Sequence, residues 1–133
     1  MDIIPLIARV LFALLFIGSG IGHFKARAAM TGYAASRGVP AAGAAVLLSG
    51  AVFLLGGLAV LLGIYPDLAA LALAAAVALT AVTMQAFWKE SDPQAKQMTM
   101  VGFNKDMAIA GGALAFYVLF ANFSDQLGWL LVA

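Results

Sequence analysis

The stretch "AAGAAVLLSGAVFLLGGLAVLLGI", residues 41–64, runs twenty-four residues without one charged side chain. A helix needs roughly 20 apolar residues to cross about 30 Å of hydrocarbon, so this stretch is long enough to span by itself. Three further stretches have the same character. Residues 3–22 are interrupted only by Arg9 and by Pro5, which falls in the first turn, where proline costs little. Residues 68–88 and 107–123 are the others, and Tyr65-Pro66-Asp67 reads as a tight turn between the second and third spans. Beyond them, Asn122, Ser124, Asp125 and Gln126 break the apolar run, and residues 127–133 are too short to cross again.

Of 133 residues 65% are hydrophobic and 10% charged, and the mean hydropathy is +1.05. A soluble domain is nearer half apolar and a quarter charged. A chain this short cannot hide so much apolar surface from water, so lipid is its main solvent. The expected fold is therefore all-α: an integral-membrane, antiparallel four-helix bundle in one domain covering residues 1–133. A cleaved signal peptide is a poor reading of the first segment, because Asp2 replaces a basic leader and the apolar run is long enough to be retained.

Lysines and arginines set the orientation. Lys25, Arg27, Arg37, Lys89, Lys96 and Lys105 fall in the two longer connections, against Arg9 alone at the other end. This bias predicts cytoplasmic loops and extracytoplasmic termini. In the first connection, "KARAAMTGYAASRGVP", Met30, Tyr33, Ala34 and Arg37 share a helical face, with Gly38 and Pro40 as stop signals. In the second, Asp92 caps a helix opening at Pro93 and closing at Gly102. Two short interfacial helices are expected there, with Phe24, Tyr33 and Trp88 in an aromatic belt.

Several chemistries are excluded. There are no cysteines, which removes disulfides, thiol redox chemistry and thiolate metal sites. A single histidine excludes a bis-histidine haem or multi-histidine metal centre within one chain. Net charge is +1 with no basic block, so nucleic acid is not an expected partner. No nucleophile–base set, phosphate-cradling loop or metal spacing is present, and no carboxylate pair lies within a span.

What remains is a small set of polar residues. Arg9 lies inside the first span and either faces the bundle, meeting a head group or a carbonyl, or snorkels to the nearer interface. His23 ends the same span as a proton relay, a hydrogen-bond partner for a quinone carbonyl, or a plain boundary residue. Lys105 and Asp106, in "FNKDMAIAGG", suit interfacial anchoring and the field of a helix end. Gln85, Trp88, His23, Lys105 and Asp106 are expected at one depth, where they would form a polar pocket above an apolar bundle.

The motifs "ARVLFALLFIGSGIGHF" (8–24), "GYAASRGVP" (32–40), "GGLAVLLG" (56–63), "FW" followed by "DP" (87–88, 92–93) and "FNKDMAIAGG" (103–112) together resemble the DoxX family of small bacterial membrane proteins. The resemblance extends to about residue 120. It implies a four-helix protein of the bacterial cytoplasmic membrane, in a family named for a subunit linked to a thiosulfate:quinone oxidoreductase and terminal-oxidase system. Arg9, Gly20, Gly22, Gly38, Pro40, Phe87, Trp88, Phe103, Lys105, Gly111 and Gly112 match its pattern. His23 stands where lysine is frequent, Gln85 where histidine is common, and Asp106 where asparagine is usual. The resulting expectation is an accessory, non-catalytic subunit. It binds a quinone or lipid through Arg9, His23, Gln85, Trp88, Lys105 and Asp106, carries no covalently bound cofactor, and docks a redox complex or a second copy of itself. Two other classes stay open: a transporter or channel for a neutral or apolar solute, and a structural subunit of a larger membrane complex.

Overall fold

The structure is a computed structural model describing residues 3–126; the expected terminal segment 127–133 lies outside the described residues. It is helical, with no strand among the described residues. Helix α1 is Ile3–Lys25, α2 Arg27–Ser36, α3 Ala42–Leu62, α4 Pro66–Met84 and α5 Pro93–Asn122, with 3-10 turns at Phe87–Lys89 and Ser124–Gln126. Among the described residues, three helical segments are long and apolar enough to cross a membrane: Ile3–Lys25, Ala42–Leu62 and Pro66–Lys89.

Local signals explain the boundaries. Helix α2 stops before Gly38, whose φ of 82° lies in the left-handed region, and Pro40 prevents resumption. Helix α3 closes at Gly63, also left-handed, and Pro66 opens α4 in its first turn. Asp92 caps α5 by accepting the Ala95 amide at 2.9 Å.

One expectation is corrected. No separate interfacial helix ends at Gly102; α5 runs unbroken for 30 residues from the polar segment into the apolar one. Glycine ends a helix when it turns left-handed, and Gly102 does not. Its missing side chain serves close approach instead, because a Cβ there would lie 2.7 Å from Gln85 Oε1. The apolar part of α5, residues 107–122, is about 24 Å long at about 1.5 Å per residue.

The long helices pack in the order α1–α3–α4–α5, neighbours running antiparallel, and α2 lies against α3. Backbone contact between α1 and α3 requires glycine: a Cβ on Gly20 would sit 2.6 Å from the Leu54 nitrogen, and one on Gly50 2.7 Å from His23 Cβ. The core comprises Ala13 and Phe16 from α1, Phe53 and Val60 from α3, Leu73 and Val77 from α4, and Ala110 and Phe120 from α5. The order leaves α1 and α5 at the two edges. Among the described residues they meet through side chains at one end, Phe12 on Phe116 at 4.8 Å between centroids and Arg9 over the Phe120 ring.

Candidate functional site

Arg9 is 0% exposed. Its Nε donates to the Val60 carbonyl at 2.8 Å and its Nη2 to the Leu61 carbonyl at 3.0 Å. Those carbonyls belong to the last turn of α3, where no further amides follow to satisfy them. A guanidinium meets them in fork geometry and carries the charge that a helix C-terminus favours. Arg9 thus faces inward to carbonyls and does not snorkel outward.

Fourteen residues separate Arg9 from His23, about 21 Å along α1, so one head group cannot touch both. The remaining candidates lie at the opposite end. His23 is 8% exposed, with its ring edge-on to Phe53 at 5.2 Å. Its Nδ1 lies 2.7 Å from the Ser19 carbonyl. A carbonyl only accepts, so Nδ1 is the protonated nitrogen of this contact, and in the corresponding tautomer Nε2 is the lone-pair acceptor. Nε2 has no hydrogen-bond partner among the described residues and is not itself a buried atom.

Gln85 follows the last residue of α4 and lays its amide against Gly102 of α5. Half-exposed Trp88 stands in a trio with Phe87 and Phe103, centroids 5.2–5.6 Å apart and planes near perpendicular. The trio pins the 3-10 turn to α5 just before Lys105 and Asp106. Lys105 is exposed and Asp106 half-buried. Burial raises the Asp106 carboxyl above its ordinary value, while the charge of Lys105 pulls the other way.

The depth of these groups follows from the contact register of α1 and α5. Arg9 meets Phe120 and Phe12 meets Phe116, so the two helices run antiparallel. Eleven residues beyond Phe12 is His23; eleven residues before Phe116 is Lys105. Eleven residues bring a helix face round to within about 20° and advance it about 16 Å. His23 and Lys105 therefore stand at one level, within about 20° of the faces that carry Phe12 and Phe116, while the His23 ring itself packs on Gly50 and Phe53 of α3. The structure brings Gln85, Trp88, Lys105 and Asp106 to one end through α4–α5 contacts. It sets His23 level with them across the gap and leaves Arg9 at the far end.

A second cluster at this end went unread in the sequence. Arg37 pairs with Glu90 and donates from Nε to the Tyr33 hydroxyl at 3.0 Å, which donates in turn to the Met84 carbonyl at 3.0 Å. The Tyr33 hydrogen bond, joined by Glu90, holds the Arg37 guanidinium above its ordinary value against partial burial. This chain straps α2 across the end of α4. The shared face of Tyr33 and Arg37 was visible in sequence, but their partners fifty residues away were not.

Neither a curated protein nor a solved structure matches the chain. The model of the DoxX family matches residues 4–86, which carry α1, α2, α3 and all of α4. The resembling motifs at residues 87–112 lie beyond that match. Buried Arg9 and His23 and the α1–α3 glycine contacts all fall within the matched residues, which make up more than half of the sequence: the chain belongs to the DoxX family.

Proposed function

We propose that this DoxX-family membrane protein is an accessory subunit that holds the head group of a quinone at the basic end of a four-helix membrane bundle and docks a redox partner there. In this reading α5 completes the bundle, its apolar part crossing alongside α1, α3 and α4. The observation that carries the proposal is the common level of His23 and Lys105 at one end of the bundle, which follows from the Phe12–Phe116 contact. A quinone oxygen accepts from the Lys105 ammonium, and a quinol hydroxyl donates to the open Nε2 of His23. Asp106 beside Lys105 disfavours an anionic head and suits a neutral one. Gln85 and the Phe87–Trp88–Phe103 trio wall the site on the α4 side.

Six basic side chains at this end against one at the other support a cytoplasmic position for it, with the protein in a bacterial cytoplasmic membrane and its termini outside. The chain supplies binding and orientation, while a partner supplies the electron carriers. The test is the quinone content of protein purified gently from its own membranes, measured by extraction and absorbance. Wild type is expected to retain quinone in near-stoichiometric amounts, and His23→Ala and Lys105→Ala to lose most of it. Wild type that carries none, or variants that carry as much, would reject the reading.

A further inference from the structure

Helix α2 buries one of its ten residues, Ala34. So small an apolar contact leaves its polar ties to fix where it lies. Tyr33 donates to the carbonyl of Met84, the last residue of α4, to which the helix supplies no further amide. Arg37 stands over the Tyr33 ring, 5.3 Å from its centroid, and reaches past it to Glu90. Both ties end on one short connection, because Met84 and Glu90 bracket residues 85–89. Within it the Lys89 amide donates to the Ala86 carbonyl and the Glu90 amide to that of Phe87, each at 3.1 Å, and Ala86 is fully buried. The other side of this connection packs on α5. Gln85 lies against Gly102, and the Phe87 and Trp88 rings stand 5.4 and 5.6 Å from Phe103. Lys105 is two residues beyond Phe103, and Asp106 is one turn beyond Gly102. Direct contacts thus run unbroken from α2 to the Lys105–Asp106 end of α5, although α2 itself packs on α3 and α1.

From this arrangement we propose that Tyr33 and Arg37 are positioning residues for the head-group site, setting Lys105 and Asp106 through Glu90 and the 85–90 connection without touching the ligand. This rests on the functional reading above and adds α2 to the site as its outer support. The connection needs such support because a 3-10 turn has poorer hydrogen-bond geometry than an α-helix. On the α5 side it is held by ring packing and by Gln85 lying on a bare glycine. One hydrogen bond and one ion pair from α2 fix its opposite side, and the Arg37–Tyr33 bond joins the two. Coupling of this kind is reciprocal: whatever factor the strap adds to head-group affinity, a bound head group returns to the docking of α2.

The experiment uses the full chain in nanodiscs of a zwitterionic lipid, with Trp129→Phe so that Trp88 is the one remaining tryptophan. The probe is a benzoquinone bearing a short prenyl chain. Arg37→Met and Tyr33→Phe should each weaken its binding about fivefold, within the range by which residues remote from a ligand modulate coupling. Each should also shift the emission of Trp88, read without quinone. Arg37→Lys, which keeps a cation for Glu90, should restore most of both. In wild type, saturating quinone should slow amide exchange in α2 by the same factor of about five, and in Arg37→Met it should not. Arg27→Met, which removes an exposed cation of α2 outside the strap, should change neither affinity nor emission.

If Arg37→Met and Tyr33→Phe quicken α2 exchange yet keep wild-type affinity and Trp88 emission, the strap only anchors α2; the positioning role is refuted while the head-group reading stands. If Arg27→Met weakens binding as much as Arg37→Met, the effect is one of surface charge and the proposal is overturned. If wild type binds no quinone, both readings fail. Should Arg37→Met not fold, Tyr33→Phe, which deletes a single oxygen, carries the same test.

Discussion

Replacing Arg9 with methionine keeps the length and most of the volume of the side chain and removes every donor. Two consequences follow in opposite directions. The Val60 and Leu61 carbonyls lose partners at 2.8 and 3.0 Å in a site closed to water. Each orphaned carbonyl costs about 1–3 kcal/mol, or about 2–6 together. Against this, the protein no longer buries a cation, a cost of about 2.5–3.5 kcal/mol at the centre of a membrane helix. Arg9 lies only about 9 Å along the helix from Ile3, so the relief is smaller than that. Stacking over Phe120 adds about 0.5–1 kcal/mol that methionine only partly replaces. Capping outweighs desolvation, and Arg9→Met should lose about 1–3 kcal/mol. Arg9→Lys keeps the charge but not the fork, and should fall between the two. The assay is reversible unfolding in mixed micelles by titration with dodecyl sulfate, followed by helical circular dichroism. An Arg9→Met protein as stable as wild type, or more so, would refute the argument that this arginine stabilises the end of α3.

Other expectations rest on separate contacts. Gly20→Ala drives a methyl into the Leu54 nitrogen and the Gly50 carbonyl, and should cost about 1–3 kcal/mol in the same titration; Gly18→Ala, which meets nothing, should be neutral or gain up to about 1 kcal/mol. Glu90→Gln breaks the pair with Arg37 and should raise amide exchange in α2 about fivefold, corresponding to about 1 kcal/mol, without shifting global unfolding. Asp106 binds its proton more tightly folded than unfolded, because burial raises its carboxyl. Its contribution to stability is therefore full below the unfolded value and is lost as pH rises through the folded one. Asp106→Asn should flatten stability across that acidic window and be at least as stable as wild type at neutral pH; a clear loss at neutral pH would contradict the assignment.

The apolar helices were legible in the sequence because their signal is one-dimensional. Length without charge defines three of the long helices. Proline and glycine mark where α2, α3 and α4 stop or start, and Asp92 before Pro93 marks the start of α5. Gly102 misled because the same residue ends a helix when left-handed and admits a neighbour when helical, and only the approach of Gln85 distinguishes the two uses. Arg9 illustrates the limit most directly. A lone arginine inside an apolar span leaves snorkelling and inward pairing open, and the choice depends on the carbonyls of α3 more than fifty residues away.

The candidate site divides in the same way. Which residues are polar, and that His23 and Lys105 bound their apolar segments, was already determined by the order of amino acids. That Arg9 stands about 21 Å from the others, that Tyr33 and Arg37 strap α2 to the end of α4, and that α1 and α5 part beyond Phe12 and Phe116 was decided by packing alone. The physical reason is that hydrophobic length and turn chemistry act within a few residues of chain. The level at which two helices meet is set by which rings and glycines fit against each other, a property of the pair and of neither sequence segment.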